Sequence, residues 1–151
     1  MKYDDRPETF YEFRDQDREV EFHRYDMPTP WMNYLSNGTL HAMISHAGGG
    51  VAFYKSPQIW RINHYRFFHL PTDRSGFYTY IKDGQDIWCP TNMPVGTRPD
   101  TWKSAHGMGY TRFQAEKNGL RAEALYFIGK TEHAMIWRLR LRSDRDRSVR
   151  I

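Results

Sequence analysis

The sequence is poor in cysteine, in long apolar runs and in helical periodicity, and each shortage excludes something. Cys89 is the single cysteine among 151 residues, so neither an internal disulfide framework nor a Cys-rich zinc site is available. No eighteen-residue apolar run occurs, and the N-terminal MKYDDRPETF lacks the apolar stretch of a signal peptide. The expectation is a cytoplasmic chain with no membrane segment. Carboxylates are thin in the middle of the chain. Acid–base cleavage of a sugar bond needs two of them, or one facing phosphate, across a sugar-sized gap, and nothing pairs the loop candidates Asp73 and Asp86. His41/His46 and His64/His69 are each five apart, which puts the partners on opposite faces of a regular strand. With no HExxH spacing either, no metal site is expected.

Aromatic residues are abundant instead, at 16% of the chain, with ten Tyr, nine Phe and five Trp. The length suits one domain with a sizeable core. Lys and Arg number 22 against 18 Asp and Glu, a formal charge of +4, but this is not one basic face. Residues 1–26 hold nine acids and five bases, whereas 138–150 hold six Arg and two Asp. In RLRLRSDRDR the arginines recur at every second residue, as solvent-facing positions on a strand do. No helix-turn-helix, zinc finger or paired aromatic RNA motif accompanies them, so nucleic acid is not an expected partner.

Period-two alternation predicts strands at Arg18–Arg24, Thr39–His46, Val51–Tyr54, Phe77–Lys82, Asp86–Cys89, Met108–Gln114, Leu120–Phe127 and His133–Arg142. Another strand, or a bulged pair, is expected within Gln58–Leu70, and Ser148–Ile151 reads as a strand beginning. Pro28 and Pro30 make a stiff turn, Asp83-Gly84 and Asn118-Gly119 are hairpin turns, and 90–103 reads as a long polar excursion. Eight to ten strands with short turns predict an all-β antiparallel β-sandwich. Gly48-Gly49-Gly50 lacks the lysine and following helix of a phosphate loop and is better read as a tight strand connection. Cys89 fits buried packing better than nucleophilic chemistry. The remaining lead is aromatic residues interleaved with Arg and Asn: Trp31, Asn33 and Tyr34 behind the double-proline turn, and Arg61, Tyr65, Arg66, Asp73 and Arg74 in one strand–loop unit. Sugars stack on rings and need fixed donors and acceptors, but an aromatic sandwich core would look alike.

The segments DREVEF, MPTPWMNYLSNG, ISHAGGG with VAFYKSP, INHYRFFHLPTDRSGFYTYIKDG, DIWCPTNMPV, AHGMGYTRF, NGLRAEALYF and MIWRLRL occur in that order. Together they resemble the N-terminal domain of inverting glycoside phosphorylases (family 94 glycoside hydrolases), which include cellobiose, cellodextrin, laminaribiose and chitobiose phosphorylases. The same domain is seen in cyclic β-1,2-glucan synthases. The likeness spans about residues 15–151. It implies a supersandwich of galactose-mutarotase-like type, incomplete at the C-terminus, joined in a longer protein to an (α/α)6 barrel that carries the catalytic aspartate. It implies inorganic phosphate as co-substrate, no metal or organic cofactor, a β-linked disaccharide or oligosaccharide as substrate, and a homodimer. On this basis 1–151 is a partial sandwich, inactive alone, with no catalytic residue of its own. Trp31, Asn33, Tyr34, Arg61, Tyr65, Arg66, Asp73, Arg74, His106 and Tyr110 are its candidates for substrate binding or an active-site rim. Relatives carry asparagines where this chain has Phe67-Phe68-His69, which implies a different acceptor preference. A stand-alone carbohydrate-binding sandwich is the competing expectation.

Overall fold

The computed structural model describes residues 9–64 and 75–151. Among them are twelve strands and no helix: β1 (Tyr11–Arg14), β2 (Glu19–Phe22), β3 (Met32–Ser36), β4 (Leu40–Ser45), β5 (Gly50–Tyr54), β6 (Ile81–Asp83), β7 (Asp86–Trp88), β8 (Thr101–Gly107), β9 (Tyr110–Lys117), β10 (Leu120–Ile128), β11 (Met135–Ser143) and β12 (Val149–Arg150). All pairings are antiparallel. A six-stranded sheet runs β1-β2-β8-β9-β10-β11, and two three-stranded sheets, β3-β4-β5 and β12-β6-β7, lie over its inner face.

Alternation builds the core. In β10 Leu120, Ala122, Ala124 and Tyr126 are buried on one side, while the other side carries the exposed Arg121 and the half-buried Glu123, Leu125 and Phe127. Leu35, Ala42, Ile44 and Ala52 of the β3-β4-β5 sheet pack with Phe77 onto Phe113, Ala124 and Tyr126. A second cluster joins Ile81 and Trp88 of β6 and β7 to Ala115, Leu120 and Ala122. Burying one large side chain such as Phe113 contributes about 1.5–3 kcal/mol. Burial also pushes the Tyr126 phenol up to about 12, and its hydroxyl donates to the Phe77 carbonyl at 3.1 Å.

Turn chemistry fixes the register. Asn118 and Gly119 both take positive φ, 51° and 74°, as a two-residue hairpin joining β9 to β10 requires. Arg147 pins this turn from the far end of the chain, donating to the Asn118 carbonyl at 2.8 Å and to Asp83 at 2.6 Å. Gly48 sits at φ 86°, and a Cβ there would meet Thr91 at 2.6 Å. The triple glycine is thus a close-approach connection between β4 and β5.

Several sequence expectations shift. β1 and β3 were not anticipated, because YEFR and MNYLS are too short and polar to signal strands by themselves. The polar excursion shrinks, since Pro90, Thr91 and Asn92 are buried and β8 already begins at Thr101. Within Phe77–Lys82 only the last two residues belong to a strand. Residues 58–64 form a turn with a single bridge from Arg61 to Phe53, while 65–70 lie outside the described residues.

Candidate functional site

The PTPWMNY and HGMGYTR segments meet. Across the sandwich, the Asn33 amide nitrogen donates towards the carbonyls of Gly107 (3.0 Å) and Tyr110 (2.9 Å) and the hydroxyl of Thr111 (3.1 Å). Thr111 in turn donates to His106 Nδ1 at 3.2 Å, and His106 Nε2–H donates to the Trp31 carbonyl at 3.1 Å. The Trp31 amide donates to His46 Nδ1 at 3.2 Å, and His46 Nε2–H donates to the Tyr25 carbonyl at 3.1 Å. This seam uses both nitrogens of each ring, which fixes both imidazoles as neutral tautomers. Phe22 packs 5.6 Å from the His46 ring and 5.0 Å from that of His106. Burial pushes the pKa of His106 down to about 4 and lowers that of His46, outweighing their hydrogen bonds to backbone.

Glycine spacing in HGMGY has a steric reason. A Cβ on Gly107 would lie 2.6 Å from the Tyr110 ring, so that ring folds back over the β8–β9 turn. Its hydroxyl donates to Glu19, whose carboxylate also accepts from Arg112 at 3.0 and 2.9 Å. The bond to Glu19 raises the pKa of Tyr110.

These contacts lie on the outer face of the six-stranded sheet, which carries a lattice of charge. Glu21 accepts from Lys103 at 2.9 Å and Arg14 at 3.3 Å; burial raises its pKa, but those two cations hold it below the usual carboxylate range. A groove of about 390 Å³ lies nearby, lined by Lys103, Gln114, Glu116, Arg121, Glu123 and Arg140 among others. Its acids are taken: Arg121 holds Glu116 at 2.8 Å, and Gln114 and Arg138 hold Glu123 at 3.0 and 3.1 Å. The groove therefore offers charge complementarity, not a free general acid. Glu12, Glu21 and His23 place ligand atoms within 4.8 Å of one another. A metal ion there would have to displace Lys103 and Arg14 from Glu21.

The structure separates the sequence candidates. Trp31 packs at a tilt on Tyr11 at 4.7 Å and edge-to-face on Phe22 at 5.7 Å; Asn33 and His106 are engaged in the seam, and Tyr110 is held by Glu19. Tyr34 projects outward from β3 and is 69% exposed. Arg61 is exposed in the turn after β5. Tyr65, Arg66, Asp73 and Arg74, like Phe67-Phe68-His69, lie outside the described residues. Asp86 accepts from Asn118 at 2.9 Å. Cys89 is buried and its thiol is pushed up to about 11 by burial. Sequence reasoning did not single out His46, Thr111, Glu19 and Arg112 as site residues, although they complete the two networks; their signals were the motifs that hold them, ISHAGGG for His46, DREVEF for Glu19 and HGMGYTR for Thr111 and Arg112.

A family model described as "Glycosyl hydrolase 94, supersandwich domain" matches residues 18–151. The chain belongs to this family. Among curated relatives, the N,N'-diacetylchitobiose phosphorylase of Vibrio furnissii is 34% identical over 143 residues, covering 91% of this chain and 18% of the relative. The solabiose phosphorylase of Paenibacillus borealis is 29% identical over 147 residues, covering 94% and 19%. The cyclic β-(1,2)-glucan synthase NdvB of Rhizobium meliloti is 23% identical over 128 residues, covering 82% of the chain and 4% of the relative. The chain thus spans less than a fifth of the length of the curated relatives it matches and corresponds to the supersandwich domain of disaccharide phosphorylases. In this glycosyl hydrolase 94 supersandwich the Asn33–His106–His46 seam holds PTPWMNY against HGMGYTR.

Proposed function

We propose that this chain is the sandwich portion of an inverting disaccharide phosphorylase, supporting a catalytic helical barrel and not catalytic alone. The observation that carries this reading is the family match over 18–151. The engagement of the seam and groove side chains in structural bonds agrees with it. In the proposed whole enzyme a β-linked disaccharide and inorganic phosphate give a sugar 1-phosphate and a shortened sugar, with no further cofactor. The general acid and the phosphate-binding groups belong to the barrel. A cytoplasmic location and a homodimeric assembly complete the proposal.

The test replaces the corresponding stretch of the Vibrio furnissii enzyme with residues 18–151 of this chain. The chimera is expected to release sugar 1-phosphate from N,N'-diacetylchitobiose and phosphate, and the 151-residue chain alone to release none. Turnover by the isolated chain, or a folded but silent chimera, would sink the reading. The exposure of Tyr34 and Arg61 favours one alternative, a carbohydrate-binding module. Measurable glycan affinity of the isolated chain, lost in Tyr34→Ala, would establish that alternative instead.

A further inference from the structure

Two hairpin turns carry the dipeptide Asn-Gly, and the fold treats them oppositely. Asn37-Gly38 lies between β3 and β4, and Asn118-Gly119 between β9 and β10. At the first turn every reactive group is occupied. Asn37 Nδ2 donates to the carbonyls of Gly129 and Glu132, both at 2.9 Å, and Oδ1 accepts from the amides of Thr39 at 3.1 Å and Leu40 at 2.9 Å. The Gly38 amide donates to Ser36 Oγ at 2.9 Å. This half-buried side chain turns towards its own main chain only by breaking those bonds.

At the second turn Asn118 is exposed. Its Nδ2 donates to Asp86 at 2.9 Å, but among the described residues nothing donates to its Oδ1, and the Gly119 amide donates to nothing. What is held there is the backbone: the Asn118 amide donates to Asp100 at 2.7 Å, and its carbonyl accepts from Arg147 at 2.8 Å. Gly119 has φ 74°, and a Cβ on it would run into the Asp144 carboxylate, so the turn requires glycine. That requirement leaves the nitrogen after Asn118 unshielded.

We propose that Asn118 is a site of spontaneous covalent modification, deamidation through a cyclic imide, from which Asn37 is protected. The Gly119 nitrogen loses its proton to hydroxide and bonds to Asn118 Cγ, closing a succinimide. The Cγ–Nδ2 bond breaks, and Nδ2 takes a proton from water and leaves as ammonia. Water then opens the ring at either carbonyl, giving aspartate or isoaspartate. Aspartate loses the donor to Asp86 and faces it with a second carboxylate. Isoaspartate adds a backbone atom to a two-residue turn that has no room for it. Either product loosens the point where β7, the segment before β8 and Arg147 meet. Asp83-Gly84 could close the same ring by losing water, but Arg147 at 2.6 Å holds Asp83 as a carboxylate, a poor electrophile.

The test incubates the 151-residue chain, and the chimera carrying residues 18–151, at mildly alkaline pH. Digests are read by mass spectrometry and by isoaspartate-specific methylation. Conversion is expected at 118, faster than at 37 by at least about tenfold, a factor that one or two net hydrogen bonds supply. In denaturant the two sites should convert at similar rates, since glycine follows both. Asn118→Gly, which suits a positive φ, should fold and lose the signal at 118. The modified protein, separated by its added negative charge, should unfold at lower denaturant than its parent. The inference is overturned if 37 converts as fast as 118 in the folded protein, if isoaspartate collects at 83 instead, or if 118 stays intact while the denatured chain reacts. An unchanged unfolding midpoint overturns the coupling of this turn to stability. An active chimera reports its own fold, so the ranking is decided even if the isolated chain is unstable. The chemistry does not depend on the phosphorylase reading, and a silent chimera leaves it to be decided on the chain.

Discussion

The two faces of the six-stranded sheet are drawn from the same strands, yet they obey different physics. On the inner face polar groups are few, neutral and buried, and those of the Asn33–His106–His46 seam are matched donor to acceptor. On the outer face they are many and charged, buried at Glu19 and Glu21 but partly solvated around Glu116 and Glu123, and single carboxylates such as Glu123 serve two or three partners. Inside, a lost partner strands a buried group and costs the full desolvation of that group. Outside, water and neighbouring charges compensate, and an exposed pair contributes little. The inner face should therefore be brittle, and the solvated stretch of the outer face around Glu116 and Glu123 forgiving in stability.

The largest test of that contrast is at the core. Phe113→Ala removes a ring with no exposure and is expected to cost about 3–5 kcal/mol in denaturant unfolding; a loss below 1 kcal/mol would mean that the two layers do not pack as described. Acid comes next. The unfolded His106 titrates near 6.5, while the folded ring holds out to about 4, so the unfolded state takes up the proton first. The seam's stability is complete above pH 6.5, falls as pH drops towards 4, and levels off below. The expected loss is about 3 kcal/mol by pH 4, with the lowered pKa of His46 adding in the same direction. His106→Gln should flatten that slope, measured as midpoint against pH, and an unchanged slope would remove His106 as its origin.

Asn33→Ala breaks the cross-layer tie and orphans part of Gly107, Tyr110 and Thr111, for an expected loss of about 2 kcal/mol. Asn33→Asp should be at least as damaging, because a carboxylate cannot donate to carbonyls. The smallest effect belongs outside: Arg140→Ala, at a side chain 50% exposed, should change stability by no more than about 0.5 kcal/mol. A loss comparable to that of Asn33→Ala would erase the distinction between the faces.

Strands with clean alternation were legible in the sequence. β4, β10 and β11 show alternating apolar residues, and their register follows once Asn118-Gly119 is seen as a turn. The shortest strands were not, because four or five mixed residues become strands only when a neighbour supplies the hydrogen bonds, as β2 does for Tyr11–Arg14. β8 was hidden by its polar composition: Lys103 and Ser104 read as loop residues until Glu21 and the core give each a side of the strand. Of the candidate residues, Trp31 and Asn33 drew attention through their neighbours in sequence, but their partners lie on β2, β8 and β9, and side-chain type alone does not distinguish a sugar contact from a satisfied interior bond.

What the sequence determined by itself is the all-β class, most of the hairpins and the family likeness, because alternation, turn residues and ordered motifs are local properties of the chain. Only the tertiary structure decided which polar groups are used up and which remain available. Asn33 meets residues 74 to 78 positions away, and Arg147 reaches back 64 positions to Asp83. Whether a donor is satisfied depends on what folding brings within 3 Å of it, and that is set by the packing of the layers against one another.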